Sequence, residues 1–478
     1  KYVRNNKMAT TDNFIAAIEI GSSKITGMVG RRMADGSIQI LACAKENSGD
    51  CIRRGTVHNV DKTSECLKNI KQRLQDVVKK NISKVYVCIG GQSLHSVLNT
   101  VSRDFETETK ITQEIVDALY EEDRNLNISD YWLMKIIPQD YYLGKQRQAS
   151  SSSSVVGVVS DKLEGSFLNV FYRHSFYENI KECLVSAGFK KVEYMMTPIV
   201  LGDGLLSMDA KRTGCVLVDF GKDTTSVAVY SSKLLRRLAV IPLGSGNITK
   251  DIASVFRIEE SEAEMLKCEY GSAFSEKDVA EDASDKIYTL SDGRDINARE
   301  LNEIVEARME EILINVEEQI RRSGLKASED LISGAILTGG GSNLRDLGKA
   351  FKQYTKIGEE KIKFAKYVNF QVNTKYAEAK QADGTLNAIL SLLTQGKEEC
   401  AGDIIPEEQG LFEEVGRTPQ EDTNEGKGRD NITELNPETP EEEPQQEQTK
   451  KPGKFAKWFK KLGNGIKNTA DKLVSPEE

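Results

Sequence analysis

Apolar residues fall along this chain in two rhythms: short runs, and longer stretches in which they return every three or four positions. The first predicts strands and the second amphipathic helices, because side chains alternate across a strand but repeat about every 3.6 residues around a helix. Runs at 14–19 and 24–30 predict two strands around a Gly-Ser-Ser turn, and 36–44 predicts a third. Leu67, Ile70, Leu74, Val77 and Val78 predict a helix over 63–80. A short buried strand at 85–89 follows and ends in Gly90-Gly91. Residues 112–125 read as a helix, and 131–137 and 168–172 as strands. Between those strands the serine run 150–154 reads as a mobile loop. A helix over 177–187 stops at Gly188. Residues 215–220 and 226–230 form a second strand–turn–strand, and 261–270 and 298–323 are long helices. The second of these carries Leu301, Ile304, Val305, Met309, Ile312, Val316 and Ile320 on one face. A buried strand at 334–337 runs into Thr338-Gly339-Gly340-Gly341. Strands and helices alternate throughout, so the class is α/β.

Composition changes this picture chiefly at the ends. A chain of 478 residues predicts two to four domains. No apolar run reaches the roughly 18–20 residues of a membrane span. The first thirteen residues carry no secretory apolar core; residues 1–7 read as tag or leader, with Met8 as the start. The eight cysteines never come within four residues of one another, which excludes CxxC zinc and redox motifs and reads as free thiols in a reducing cytosol. With three dispersed histidines, a His-based metal site is not expected.

The net charge of −9 is unevenly spread. Residues 398–449 hold 17 acids against 3 bases, and 450–478 hold 8 lysines against 3 acids. Those segments sum to −14 and +5, so residues 1–397 are neutral. Seven of the ten prolines also lie beyond residue 400. Such an acidic, apolar-poor stretch cannot offset its chain entropy, so 398–451 is expected to be a disordered linker. A neutral globular part argues against nucleic acid.

Candidate chemistry begins with an internal repeat offset by 200 residues. Segment 14–30 (FIAAIEIGSSKITGMVG) resembles 214–230 (GCVLVDFGKDTTSVAVY). Each is a strand, an acid (Glu19, Asp219), a glycine two residues on (Gly21, Gly221), a polar turn (Ser22, Ser23, Lys24; Thr224, Thr225) and a second strand. Such turns aim amides and hydroxyls at one point, which suits phosphate oxygens, and the acid suits a metal-bound water. The bland reading is two ordinary hairpins. Gly339, Gly340 and Gly341, followed by Asn343, let backbone approach a bulky ligand, or simply form a turn. Gly244, Gly246 and Asn247 precede a helix on which Glu264 and Lys267 lie one turn apart. That pair is placed for ribose hydroxyls, or is a surface ion pair.

In this order, these residues resemble the actin-like ATPase superfamily, and in finer detail its FtsA family of bacterial cell-division proteins. The finer match lies in 136–142 (IIPQDYY), 241–247 (IPLGSGN), 262–267 (EAEMLK) and 336–341 (ILTGGG), and it covers about 12–395. The resemblance implies a duplicated RNase H-like fold, with two domains around a cleft that holds ATP and Mg²⁺. Glu19 and Asp219 would act on the metal through bound water. The implied domains are 12–91 with 174–200, an inserted subdomain at 92–173, and a second domain at 201–397 whose small subdomain is 251–330. Three departures stand out: Glu19 where most of the superfamily has Asp, Lys222-Asp223 where a Gly pair is usual, and Ser226 where Asp is common. They predict weak or no hydrolysis, and no catalytic residue is assigned between Pro198 and Met208. The family implies self-polymerisation, binding of the FtsZ C-terminal peptide with Arg308 as a basic contact, and recruitment of other division proteins. Arg308 also reads as a solvated helix arginine. The alternatives are a sugar or carboxylate kinase and a pilus-assembly actin homologue.

The last expected element is a helix over 452–474. Phe455, Trp458, Phe459, Leu462, Ile466 and Leu473 share one face, opposed by lysines that include Lys457, Lys460 and Lys461. This predicts a peripheral anchor on an anionic membrane surface; the family resemblance implies that the surface is the cytoplasmic side of the inner membrane at the division site. Docking in a protein groove and packing on the core are the other readings. Gly463 and Gly465 disfavour the free helix by about 1 kcal/mol each, so it is expected to fold on binding.

Overall fold

The fold comes from a computed structural model that describes residues 14–144, 146–147, 154–274, 286–290 and 292–404. Most of the serine run, the linker beyond 404 and the C-terminal helix with its apolar and lysine faces lie outside the described residues.

Two sheets repeat one topology. In the first, β1 (Phe14–Ile20), β2 (Lys24–Arg32) and β3 (Ile38–Asn47) form an antiparallel meander. On the other side of β1 lie β7 (Lys84–Ile89) and β12 (Lys191–Met196), both parallel to it. The second sheet copies this with β13 (Cys215–Phe220), β14 (Thr225–Ser231) and β15 (Leu234–Ile241), flanked by parallel β18 (Ala335–Thr338) and β19 (Ile362–Phe364). The offset of 200 residues in sequence is therefore a duplication in space. The central strands β1 and β13 are almost wholly buried, as expected of strands covered on both faces.

The inserted region adds β8 (His95–Lys110), β9 (Tyr131–Leu143), β10 (Gln146–Arg147) and β11 (Val159–Arg173). Helix α2 (Gln113–Arg124) packs on these strands over a small core that includes Val116, Leu119 and Phe167. Strand β8 meets β15 at His95 and Ala239, so the insert continues the second sheet to nine strands among the described residues.

Helices α1 (Val60–Val78) and α3 (His174–Ser186) pack against each other and contribute to the core of the first sheet. Val77, expected on the buried face of α1, is exposed. Helix α4 (Thr197–Leu205) lies at the waist between the sheets, and α5 (Met208–Thr213) follows it against β14. On the outer face of the second sheet, α6 (Ser245–Phe256), α7 (Glu260–Tyr270), α8 (Ala298–Arg322) and α9 (Leu347–Thr355) share one core. Two-stranded pairs are formed by β4 (Ile52–Arg53) with β5 (Thr56–Val57), and by β16 (Lys286–Thr289) with β17 (Asp295–Asn297).

Two expected boundaries move. Strand β20 (Val372–Asn373) joins the edge of β3, and α10 (Asn387–Gln395) packs on α4, β1 and β2. The last part of 201–397 thus returns to the first sheet, because α10 is apolar on nearly every side and needs a surrounding core. Residues 398–404, expected to be linker, are held on the first sheet. Strand β21 (Ala401–Ile404) pairs with β6 (Lys80–Ile82), and Glu398 bridges Lys84 and Lys191 at 2.8 Å each. The Tyr86 hydroxyl accepts the amides of Lys397 and Glu398, each at 3.0 Å. Backbone pairing and buried partners hold residues whose composition alone reads as linker.

Candidate functional site

A cleft of about 1000 Å³ opens between the two halves, lined by the turns that follow β1 and β13. In each turn the glycine amide closes a tight hairpin: Gly21 N–H donates to Lys24 O at 3.1 Å and Gly221 N–H to Thr224 O at 2.9 Å. The cavity is also lined by Ser22, Ser23, Lys24, Lys222 and Thr224 from the turn tips. Both acids line it. Glu19 is half-buried, and its Oε2 atom is out of reach of solvent with no hydrogen-bond partner among the described residues. Burial pushes the Glu19 carboxyl up to about 7; Lys24 opposes this and Asp219 adds to it. Burial likewise raises Asp219 to about 6. Lys24 is shifted down by its own burial, against the pull of Glu19. Two enclosed carboxyls beside an ammonium form an environment that a bound cation would relieve.

Beside the second turn the cavity is walled by Gly339, Gly340 and Gly341, with Asn343 next to them. Gly339 sits at φ 82, and a Cβ there would collide with Asp219 Oδ1, so backbone and carboxylate share a space no side chain can enter. Asn343 donates to Gly340 O at 3.0 Å and Asp383 O at 2.8 Å, fastening this wall to the 383–385 loop. Asp383, Gly384 and Thr385 also line the cavity. Sequence spacing missed them, since Asp-Gly-Thr reads as a common turn.

Glu264 and Lys267 face the cavity from α7 as a connected group. Lys267 Nζ donates to Glu264 Oε2 at 2.6 Å, Thr249 Oγ1 at 2.9 Å and Ser245 O at 3.2 Å. Burial works against the Glu264 carboxylate, but hydrogen bonds from Lys267 and Thr249 outweigh it and hold its pKa below the ordinary value. With its side chain 51% exposed, Glu264 keeps acceptor capacity for a hydroxyl.

Four expected site residues stand behind the wall or play another part. Thr225 is buried and donates to Leu243 O at 2.8 Å, and Asn247 Oδ1 accepts the Gly244 amide at 3.0 Å. Gly244 fits against the carbonyls of Gly221 and Lys222, where a Cβ has no room. Gly246 lines the cleft, but its amide donates to Lys222 O at 2.7 Å, as Ser245 N–H does to Gly221 O at 2.9 Å. The start of α6 thus serves the second turn's carbonyls.

Arg308 lies outside the cleft, and neither a solvated nor a free cation describes it. Its guanidinium binds Asp251 through Nε at 2.6 Å and Nη2 at 3.0 Å, and binds Glu311 through Nη1. The side chain is only 15% exposed.

Among the described residues no cluster of metal-ligand type occurs, and no helix is long and apolar enough to cross a membrane. A family model described as Cell division protein FtsA matches residues 216–387. A relative of that name from Porphyromonas gingivalis is 31% identical over 353 residues, 72% of this chain and 72% of the relative. The Escherichia coli K12 relative of the same name is 24% identical over 422 residues, 85% of this chain and 96% of the relative. Among solved structures, the PilM-PilN type IV pilus biogenesis complex superposes with a TM-score of 0.55 at 14% identity, covering 80% of this chain and 98% of that one. That likeness is one of fold alone.

Proposed function

The chain belongs to the FtsA family of cell division proteins, with an actin-like fold, and on that premise we propose that it is an ATP-binding adaptor. It polymerises and tethers the FtsZ ring to the cytoplasmic face of the inner membrane, where it recruits later division proteins. The observation that carries the nucleotide is the pair of acid-x-Gly turns facing one cavity with Gly339–341 and the Glu264–Lys267 pair.

The residues present fit ATP with Mg²⁺. Unpartnered Glu19 Oε2 and enclosed Asp219 supply the carboxylates for a hydrated cation. The cation, when bound, offsets phosphate charge. Gly339 and Gly341 pack closely on Asp219 and Phe220, Gly340 leaves room for a flat base against backbone, and Glu264 offers its carboxylate to ribose hydroxyls. Turnover is slow in this reading. Asp203, the carboxylate between Pro198 and Met208, is committed to Lys211 at 2.7 Å.

Membrane attachment rests on the apolar and lysine faces of 452–474. The FtsZ peptide is assigned to 251–330, where Arg308 ties α8 to α6 through Asp251 and is itself held by Glu311 on its own helix.

ATP with Mg²⁺ should raise the melting temperature, because a ligand of the folded state stabilises it by mass action. Gly340 is the position to block. A Cβ there meets only Thr385 Cγ2, at 3.3 Å, so Gly340→Leu folds while its side chain fills the cavity. The variant should show no ATP shift; a shift equal to that of the parent sinks the site. Electron microscopy of ATP-dependent assembly on anionic vesicles carrying FtsZ tests the adaptor role, which fails if ATP changes nothing.

A further inference from the structure

Residues 48–57, including the short β4–β5 hairpin, have no part in the function argued above, yet their hydrogen bonds reach both turns of the cleft. Ser48 Oγ donates to Gly21 O at 2.5 Å and the Ser48 amide to Ser23 O at 3.3 Å. The Gly55 amide donates to Ser22 Oγ at 2.8 Å. The Arg54 amide crosses to the other half of the molecule and donates to Asp223 Oδ2 at 3.0 Å. Three bonds therefore hold the first turn and one holds the second.

Two consecutive amides can serve opposite turns because Arg54 (φ 49) and Gly55 (φ 71) are both left-handed, which presents successive N–H groups to one side. For an arginine this conformation costs roughly 1–2 kcal/mol, so its surroundings must enforce it. They do so by close backbone contact. A Cβ on Gly55 would lie 2.6 Å from Gly91 Cα, and the Gln92 amide donates to Arg54 O at 3.1 Å. Cys51 and Ile52 anchor the hairpin in the core.

We propose that this hairpin is a bracket that sets the separation of the two turns, and that Asp223 is the positioning residue through which the second half is held. The consequence for nucleotide rests on the ATP reading above. Phosphates lying between the turns leave only when the turns part, and the Asp223–Arg54 bond must break for them to part. Asp223 thereby governs the rate of exchange.

The test compares Asp223→Ala with Asp223→Asn in the full chain. Without nucleotide, hydrogen exchange of the 52–56 segment should quicken about tenfold in the alanine variant and stay within about twofold of the parent in the asparagine variant, which keeps an acceptor. Release of a fluorescent ATP analogue with Mg²⁺, followed by stopped flow, should quicken about tenfold in Asp223→Ala and be restored by Asp223→Asn. Unchanged amide exchange in Asp223→Ala overturns the bracket. Faster amide exchange with unchanged release overturns its control of the ligand. Faster amide exchange in a protein whose parent binds no analogue supports the bracket and removes the nucleotide reading instead.

Discussion

Glu19 and Asp219 are held up at about 7 and about 6 by burial, whereas in the unfolded chain both titrate near their ordinary values. Between about pH 4 and 7 the folded state therefore binds more protons than the unfolded one, and stability falls as pH rises through that window. Glu19→Gln removes the buried charge. Without ligand it should be more stable than the parent at pH 8 by roughly 1–3 kcal/mol, with the advantage gone near pH 4. Thermal melts across pH check this, and no gain at pH 8 refutes it. The same variant should bind ATP more weakly when Mg²⁺ is present. At this scale local spacing was enough to bring the two acids, the glycines and the Glu264–Lys267 pair to one cavity. Asp223 was not legible in that spacing. By resemblance it is a lost glycine; in space it gains a bond to a residue 169 positions away. Thr225 and Asn247 carry hydroxyl and amide groups of the right kind, but local hydrogen bonds had already claimed them.

Helix α8 shows how an element can be read correctly while one of its residues is not. Its apolar face is the expected one, from Leu301 through Ile320. Arg308, on the flank of that face, is bound by two acids, one of them on α6. Arg308→Ala would leave Asp251 and Glu311 adjacent and poorly solvated, so it should cost roughly 2–3 kcal/mol of stability. Chemical denaturation measures that loss; a variant as stable as the parent shows the triad to be inconsequential. The outcome also governs peptide-binding tests, since weaker FtsZ peptide binding by an Arg308 variant means little unless its fold is intact. Other elements escaped sequence reading for physical reasons. Strand β8 is half polar because much of one face meets solvent, and only the strand beside it defines its pairing. Helix α10 is a short apolar run, for which periodicity cannot separate helix from strand.

For the molecule as a whole, charge and proline usage single out the segment that begins near residue 398, most of which lies outside the described residues, and the duplicated motif marks the two halves. The return of α10 and β21 to the first sheet was not legible, because it depends on contacts between residues some 300 positions apart. Deleting residues 452–478 should leave a folded, ATP-binding protein that no longer pellets with anionic vesicles, and Trp458→Glu should come close to the same result. Each large apolar side chain contributes on the order of 1 kcal/mol or more, and each lysine near an anionic surface about 1 kcal/mol. Binding should thus weaken with salt without vanishing. Continued pelleting of the truncated protein excludes the anchor. The contacts of Glu398 with Lys84 and Lys191, and of the following residues with Phe14 and β6, lie at the amino ends of β1, β7 and β12. The turns of the cleft lie at the carboxyl ends of β1 and β7. Tension applied to the chain beyond residue 404 would therefore reach the first sheet at the strand ends opposite the cleft.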